Sequence, residues 1–314
     1  MQVVFFGSGI SAVRSLRAIA ASEHDIIRVV TQPARPAGRG RTPRCTPVAD
    51  AARAAELDVV ECPDVNAAAF VSDLRASKPD VLCVVDFGQR LGSEVRGAAP
   101  HAAFNMHGSL LPKLRGAAPV QWAIIRGHER TGATTFRLID RMDAGPIYLQ
   151  EDTPIRPSET AEELSDRIAG IGAGLVVRTL DLLKAGTVEP QTQDDTRATR
   201  APRLRKTDGV LDFTADAEQV RNRVHGTWPW PGGQATFVGA DRGAQAVVIA
   251  RAEVADGPAR GAGGVLDEEL CLSCGRGRLR IRQIKPAGKR LMTWRDFVNG
   301  YRVAEGDRFE RKDA

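Results

Sequence analysis

The chain has no run of about 18 apolar residues, so nothing in it is long enough for a membrane-spanning helix. Its first residues, MQVVFFGSGI, lack a basic leader and a long apolar stretch, and are expected to form a first strand rather than a signal peptide. Cysteines are few, odd in number and scattered: Cys45, Cys62, Cys83, Cys271 and Cys274. That usage fits a reducing, cytoplasmic setting better than a disulfide framework. Cys271 and Cys274 make a single C-x-x-C with no second pair and no nearby histidine, so no metal is expected. Histidines are sparse too, and His24, His101, His128 and His225 stand apart from one another. No serine or cysteine shows a paired base, which leaves covalent catalysis without a candidate nucleophile.

What is present is an ordinary globular composition, 42% hydrophobic and 26% charged over 314 residues, enough for two domains. In the first half, QVVFF (2–6), IIRVV (26–30) and DVLCVV (80–85) are apolar throughout and alternate with stretches of helical spacing. Such strands imply a parallel sheet covered on both faces. SETAEELSDRIAGIGAGLVVRTLDLLKAG (158–186) is the clearest helix, with Thr160 and Glu163 as a capping box and Gly186 as its stop. A polar, proline-containing stretch follows. Beyond it come short alternating runs with glycine-rich turns, the pattern of a small antiparallel barrel or sandwich. The expected division is a catalytic domain over 1–189, a linker over 190–207 and a basic barrel domain over 208–314.

Charge divides along the same line. Residues 201–314 hold 20 Lys and Arg against 15 Asp and Glu, whereas the first 200 hold 24 of each. An excess confined to the last third suggests that this part meets a polyanion. In GRGRLRIRQIKPAGKR (275–290), Arg276, Arg278, Arg280 and Arg282 fall on one face of an extended strand, opposite Leu279 and Ile281, and Lys285 and Lys289 follow. Cations at period two suit phosphate contacts, and equally a solvated edge strand.

Gly7-x-Gly9-x-x-Ala12 after the first strand matches a dinucleotide fingerprint. The second strand ends Val30-Thr31-Gln32-Pro33, without the acid that holds a ribose, which argues against a redox enzyme. A stronger signal is FNMHGSLLPKLRGAAP (104–119). In an extended segment Asn105 and His107 point to one side, where a carboxamide and an imidazole reach the same oxygen. That suits acyl transfer. Asp143, in the turn of RLIDRMDAGPIY (137–148), is a carboxylate able to hold a proton and orient His107. VVDFGQRL (84–91) places a loop at the carboxyl end of a strand, where parallel sheets bind ligands.

These segments, with TQPARPAGRGR (31–41), TGATTFRLIDRMDAGPI (131–147), APRLRKTDGVLDF (201–213), WPWPGG (228–233) and IKPAGKRLM (284–292), resemble the formyltransferases that use 10-formyltetrahydrofolate. The PAGRGR and KPAGK segments resemble the branch that acts on methionyl-tRNA. The resemblance implies an α/β, doubly wound Rossmann-like domain and a smaller OB-like β-barrel. It implies Asn105, His107 and Asp143 as the catalytic set, the first two on the formyl oxygen. Ser109, Leu110, Leu111 and Pro112 would line the folate site with the loop of Asp86, Phe87 and Gly88. Arg39 would meet the aminoacyl end of the tRNA, Arg41 would bind the tRNA beside it, and Arg276, Arg278, Arg280, Arg282, Lys285 and Lys289 would meet its phosphates. The implied partners are initiator methionyl-tRNA and the folate formyl donor, for a monomer with no metal. Two stretches depart from the family pattern: Gly7-Ser8-Gly9-Ile10-Ser11-Ala12 stands for G-T-P-x-F-A, and Asp86-Phe87-Gly88 for Ala-Tyr-Gly. The rival readings are a formyltransferase for another amine, such as an amino-sugar nucleotide, and a non-catalytic RNA-binding protein.

Overall fold

The computed structural model describes residues 1–37, 42–240 and 242–312. They form two compact units. The first holds 1–119, 131–153 and 165–201, and the second holds 120–130, 154–164 and 202–314.

In chain order the first half runs β1 (Gln2–Gly7), α1 (Ile10–Ala20), β2 (Asp25–Thr31), β3 (Arg35–Ala37), β4 (Thr42–Arg44), α2 (Pro47–Ala54) and β5 (Val59–Glu61). It continues with α3 (Ala68–Ala76), β6 (Val81–Val85), α4 (Ser93–Arg96), β7 (Ala102–His107), α5 (Pro119–Ile125), β8 (Arg130–Arg137), β9 (Ile147–Pro154) and α6 (Ala161–Ala185). Seven strands make one sheet in the order β5-β2-β1-β6-β7-β8-β9. Pairing is parallel from β5 through β7 and turns antiparallel between β7 and β8. The apolar runs of the sequence explain the parallel part: Val3 to Phe6 and Val81 to Val85 are all buried, as strands with helices on both faces must be. The carboxyl ends of β2, β1, β6 and β7 therefore open along one edge.

α6 begins as its capping box predicts. The Thr160 N–H donates to Glu163 Oε2 at 2.9 Å, and the Glu163 N–H donates to Thr160 Oγ1 at 3.4 Å. Gly186, at φ 67°, closes it. Gly172 lies behind β7, where a Cβ would meet Met106 Sδ at 2.6 Å, so the Met106 thioether fills the space a side chain would take.

The second unit carries α7 (Ala217–Thr227), β10 (Gly233–Gly239), β11 (Arg242–Ala255), β12 (Leu272–Ser273), β13 (Arg278–Pro286), β14 (Met292–Thr293), α8 (Trp294–Tyr301) and β15 (Arg308–Arg311). The sheet is antiparallel in the order β12-β13-β11-β10-β15, with β14 beside β13. Residues 264–266 join its two edges. Ser273 donates to the Val265 carbonyl at 2.9 Å on the β12 side, and Phe309 donates to the Gly264 carbonyl at 2.7 Å on the β15 side. The result is a nearly closed barrel, as the resemblance implied. Phe297 and Phe309 each lie 5.2 Å, centroid to centroid, from Phe237 in its core.

Helix α7 has no counterpart in the sequence reading, because AEQVRNRVHGT offers only Val220 and Val224 as an apolar stripe. The polar stretch expected as a linker begins as part of the first unit. Gln191 and Ile147 exchange backbone hydrogen bonds of 2.8 and 2.7 Å, and Ala201 donates to the Arg115 carbonyl at 2.7 Å.

Candidate active site

Strand β7 aims the polar pair. Phe104 and Met106 are buried on one face, so Asn105 and His107 share the other. Asn105 lies opposite Val84 of β6 and Phe136 of β8, and His107 lies opposite Thr134. The half-buried carboxamide of Asn105 has no hydrogen-bond partner among the described residues. The imidazole of His107 is buried, with Nε2 2.9 Å from the Leu114 carbonyl, so that nitrogen carries the hydrogen and donates. Nδ1 is left for proton traffic, and Asp143 Oδ2 stands 3.9 Å from it.

The loop after β7 is held from both ends. Ser109 Oγ donates to the Lys113 carbonyl at 2.7 Å, and Thr134 Oγ1 donates to the Ser109 carbonyl at 2.6 Å. The Leu111–Pro112 bond is cis, and the Leu111 carbonyl accepts from Gln150 Nε2 at 2.8 Å. Of the four residues expected to line the folate site, Ser109 and Leu111 are buried and shape the loop, while Leu110 and Pro112 keep open surface. Gly116, at φ 128°, has no room for a side chain: a Cβ would lie 2.4 Å from the Ala201 carbonyl oxygen. Its N–H donates to Asp143 Oδ2 at 2.8 Å, which ties the loop to the carboxylate.

Asp143 sits in the β8–β9 turn with φ 51°. Gln193 Nε2 fixes that turn from the polar stretch, donating to the carbonyls of Asp143 and Gly145 at 2.9 and 2.7 Å. Arg115 in turn donates to Gln193 Oε1 at 2.7 Å and pairs with Asp195 at 2.8 Å. The sequence reading misses this support, because nothing in QTQDDTR marks one glutamine as buried. An unpartnered amide, an imidazole and a carboxylate at the carboxyl edge of a sheet can stabilise an oxygen that gains negative charge and move one proton.

Residues 1–180 match the family model described as formyl transferase, and residues 203–302 match that of the formyl transferase C-terminal domain. The chain is 40% identical over 309 residues to a methionyl-tRNA formyltransferase of Solibacter usitatus, covering 98% of both chains. It is 37% identical to that of Moorella thermoacetica, again over 98% of each. The chain belongs to the methionyl-tRNA formyltransferase family. Solved structures more distant in sequence share its fold. HypX from Aquifex aeolicus in complex with tetrahydrofolic acid matches with TM-score 0.65 and 16% identity, over 96% of this chain and 47% of that one. WlaRD, a sugar 3N-formyl transferase, matches with TM-score 0.65 and 15% identity, over 92% and 99%.

In this formyltransferase the loop after β6 is anchored to the sheet edge by Phe87. Phe87 is buried and packs edge-on against Phe6 at 5.4 Å, and its carbonyl accepts from Gln32 Nε2 at 2.7 Å. Gly88, at φ 84°, completes the turn. Asp86, at φ 46°, opens onto a cavity of about 290 Å³ with Ser8, Gln32, Arg35 and Thr46. Loss of water around its carboxyl pushes that group above the usual carboxylate range.

The cationic strand is also more compensated than its sequence suggests. Arg276 lies before β13 and pairs with Asp216 at 2.7 Å; Arg280 pairs with Glu269 at 3.4 Å and Arg282 with Glu253 at 2.6 Å. Arg278 is not on the exposed face. It is buried, bonded to Asp267 at 2.8 Å and to the Asp256 carbonyl at 3.1 Å. Burial alone would raise the Asp267 carboxyl, but Arg278 and the N–H groups of Cys271 and Glu269 hold it below the usual range. The acids come from other strands and turns, which a run of local sequence cannot show. Lys285 and Lys289 are exposed and have no carboxylate partner among the described residues. Arg39 and Arg41 lie outside the described residues. Cys271 and Cys274 are both buried, and burial pushes the Cys274 thiol up to about 12.

Proposed function

We propose that this chain transfers the formyl group of 10-formyltetrahydrofolate to the α-amino group of methionyl-initiator tRNA, as a cytoplasmic monomer working without a metal. The observation that carries the reading is the meeting of Asn105, His107 and Asp143 at the carboxyl edge of the sheet, around a loop that Gly116 ties to the carboxylate.

The amine nitrogen adds to the formyl carbon, whose oxygen takes the negative charge. Collapse breaks the bond to the folate nitrogen, which gains a proton as the amine loses one. Asn105 donates to the developing oxyanion, a contact worth about 3 kcal/mol where such donors have been removed elsewhere. His107, with Nε2 committed to Leu114, acts through Nδ1, and Asp143 is the carboxylate placed to take or return that proton. The separation of 3.9 Å tightens when substrate arrives, as unliganded sites commonly do. The folate lies along Leu110 and Pro112 and the backbone of the 86–88 loop, while buried Ser109 and Leu111 keep that wall in shape.

The division into a catalytic domain (1–189), a linker (190–207) and a basic barrel (208–314) belongs to this reading, the barrel gripping tRNA phosphates. Arg276, Arg280, Arg282, Lys285 and Lys289 serve that grip, with the two unpaired lysines foremost, and Arg278 holds the strand that presents them. Arg39 and Arg41 complete the tRNA set. Purified protein supplied with 10-formyltetrahydrofolate and initiator methionyl-tRNA is expected to yield formyl-methionyl-tRNA; no product overturns the reading.

A further inference from the structure

The glycine turn after β1 is occupied by protein. Ser8 and Gly9 donate their N–H groups, each at 3.0 Å, to the carbonyl of Asp86. A phosphate binds such a turn through those same donors, so here they are spent. Gly9 also has no room for a Cβ, which would fall 1.7 Å from Asp86 Oδ2. The second glycine of the apparent dinucleotide fingerprint thus seats a carboxylate, and a carboxylate repels the anion that the fingerprint would hold.

That carboxylate is unpaired. Among the described residues no hydrogen bond or ion pair reaches it, and as an exposed residue it lines the cavity of about 290 Å³. A carboxylate so placed favours a ligand that donates N–H or brings positive charge. The cavity is at the right edge for the reaction. β6 and β7 are parallel with Val84 opposite Asn105, so Asp86 and His107, each two residues further on, both end at the same edge. Arg35 and Arg44 line the cavity from the β3–β4 hairpin, which suits an amine carried on a polyanion.

Resting on the function proposed above, we propose that the Asp86 carboxylate accepts a hydrogen bond from the α-amino group of the aminoacyl-tRNA, positioning the nucleophile and selecting an amine over a phosphate in this cavity. The alanine of the family pattern at this place could not do so.

The test compares binding of methionyl-tRNA and N-acetyl-methionyl-tRNA, without formyl donor, to wild type and to Asp86→Asn and Asp86→Ala. Wild type is expected to bind the free amine about tenfold more tightly, the size of one charge-assisted hydrogen bond. Both variants are expected to bring the ratio to within about twofold, with the KM for methionyl-tRNA raised more than that for 10-formyltetrahydrofolate. A wild-type ratio near one, or variants that keep the wild-type ratio, overturns the role of Asp86. The wild-type comparison stands even where a variant does not fold. Absence of formylation by wild type overturns the underlying reading instead, so the two failures are distinct.

Discussion

His107 Nδ1 and Asp143 Oδ2 face each other across 3.9 Å, while the other imidazole nitrogen is held by the Leu114 carbonyl at 2.9 Å. The ring is thus oriented by backbone, while the carboxylate accepts from the Gly116 N–H and stands beyond hydrogen-bond distance of the ring. This division of labour separates the expected effects of the two residues.

His107→Ala is expected to lower kcat by about 100-fold or more with tRNA affinity within about twofold of wild type, since the proposed mechanism puts the ring on reacting atoms and not on phosphates. Single-turnover formylation and a filter-binding titration measure the two quantities. A wild-type turnover removes His107 from the mechanism.

Asp143→Asn retains an oxygen for the Gly116 N–H and loses only the charge. Turnover is expected to fall about 10- to 100-fold, in the range of one proton-transfer group, with thermal stability close to wild type. A large loss of stability with unchanged turnover per folded molecule would make Asp143 a purely structural residue.

For tRNA binding, Lys285→Ala and Lys289→Ala are each expected to reduce the slope of log K against log salt by about one, the value of one phosphate contact. Arg280→Ala is expected to change it less, because Glu269 already offsets that cation. Equal slopes for wild type and both lysine variants would move the phosphate contacts elsewhere.

His225 governs a pH response of the second unit. It is buried, its Nε2 accepts from the Ala252 N–H at 3.2 Å, and burial, then the charges of Arg251 and Arg221, bring its pKa from 6.5 down to about 4, against a small opposing pull from Glu163. Between those values the unfolded chain holds the extra proton, so stability falls as pH drops from about 6.5 towards 4, by at most roughly 3 kcal/mol. Urea unfolding at several pH values is expected to show a shallower fall for His225→Gln, which keeps an acceptor for Ala252; an identical fall assigns the response to other groups.

The layers of the fold were legible because their causes are local. Apolar runs such as VLCVV announced buried parallel strands, and Thr160 with Glu163 announced the start of α6. The polar pair was legible for the same reason, since strand alternation alone puts Asn105 and His107 on one face. What stayed hidden depends on partners distant in sequence. Gln193 supports Asp143 from 50 residues away, and Asp267 draws Arg278 inward from a turn. Helix α7 was hidden because a polar segment with two valines gives its period little amplitude.

Gly172 gives the polar pair a yielding back wall. A side chain there would meet the Sδ, Cε and Cγ atoms of Met106, the far end of a flexible side chain that can turn aside. Met106 lies between Asn105 and His107 in β7 and faces away from them. A carbon added at Gly172 is therefore taken up by a thioether, and the aim of the pair stays with the strand that carries it.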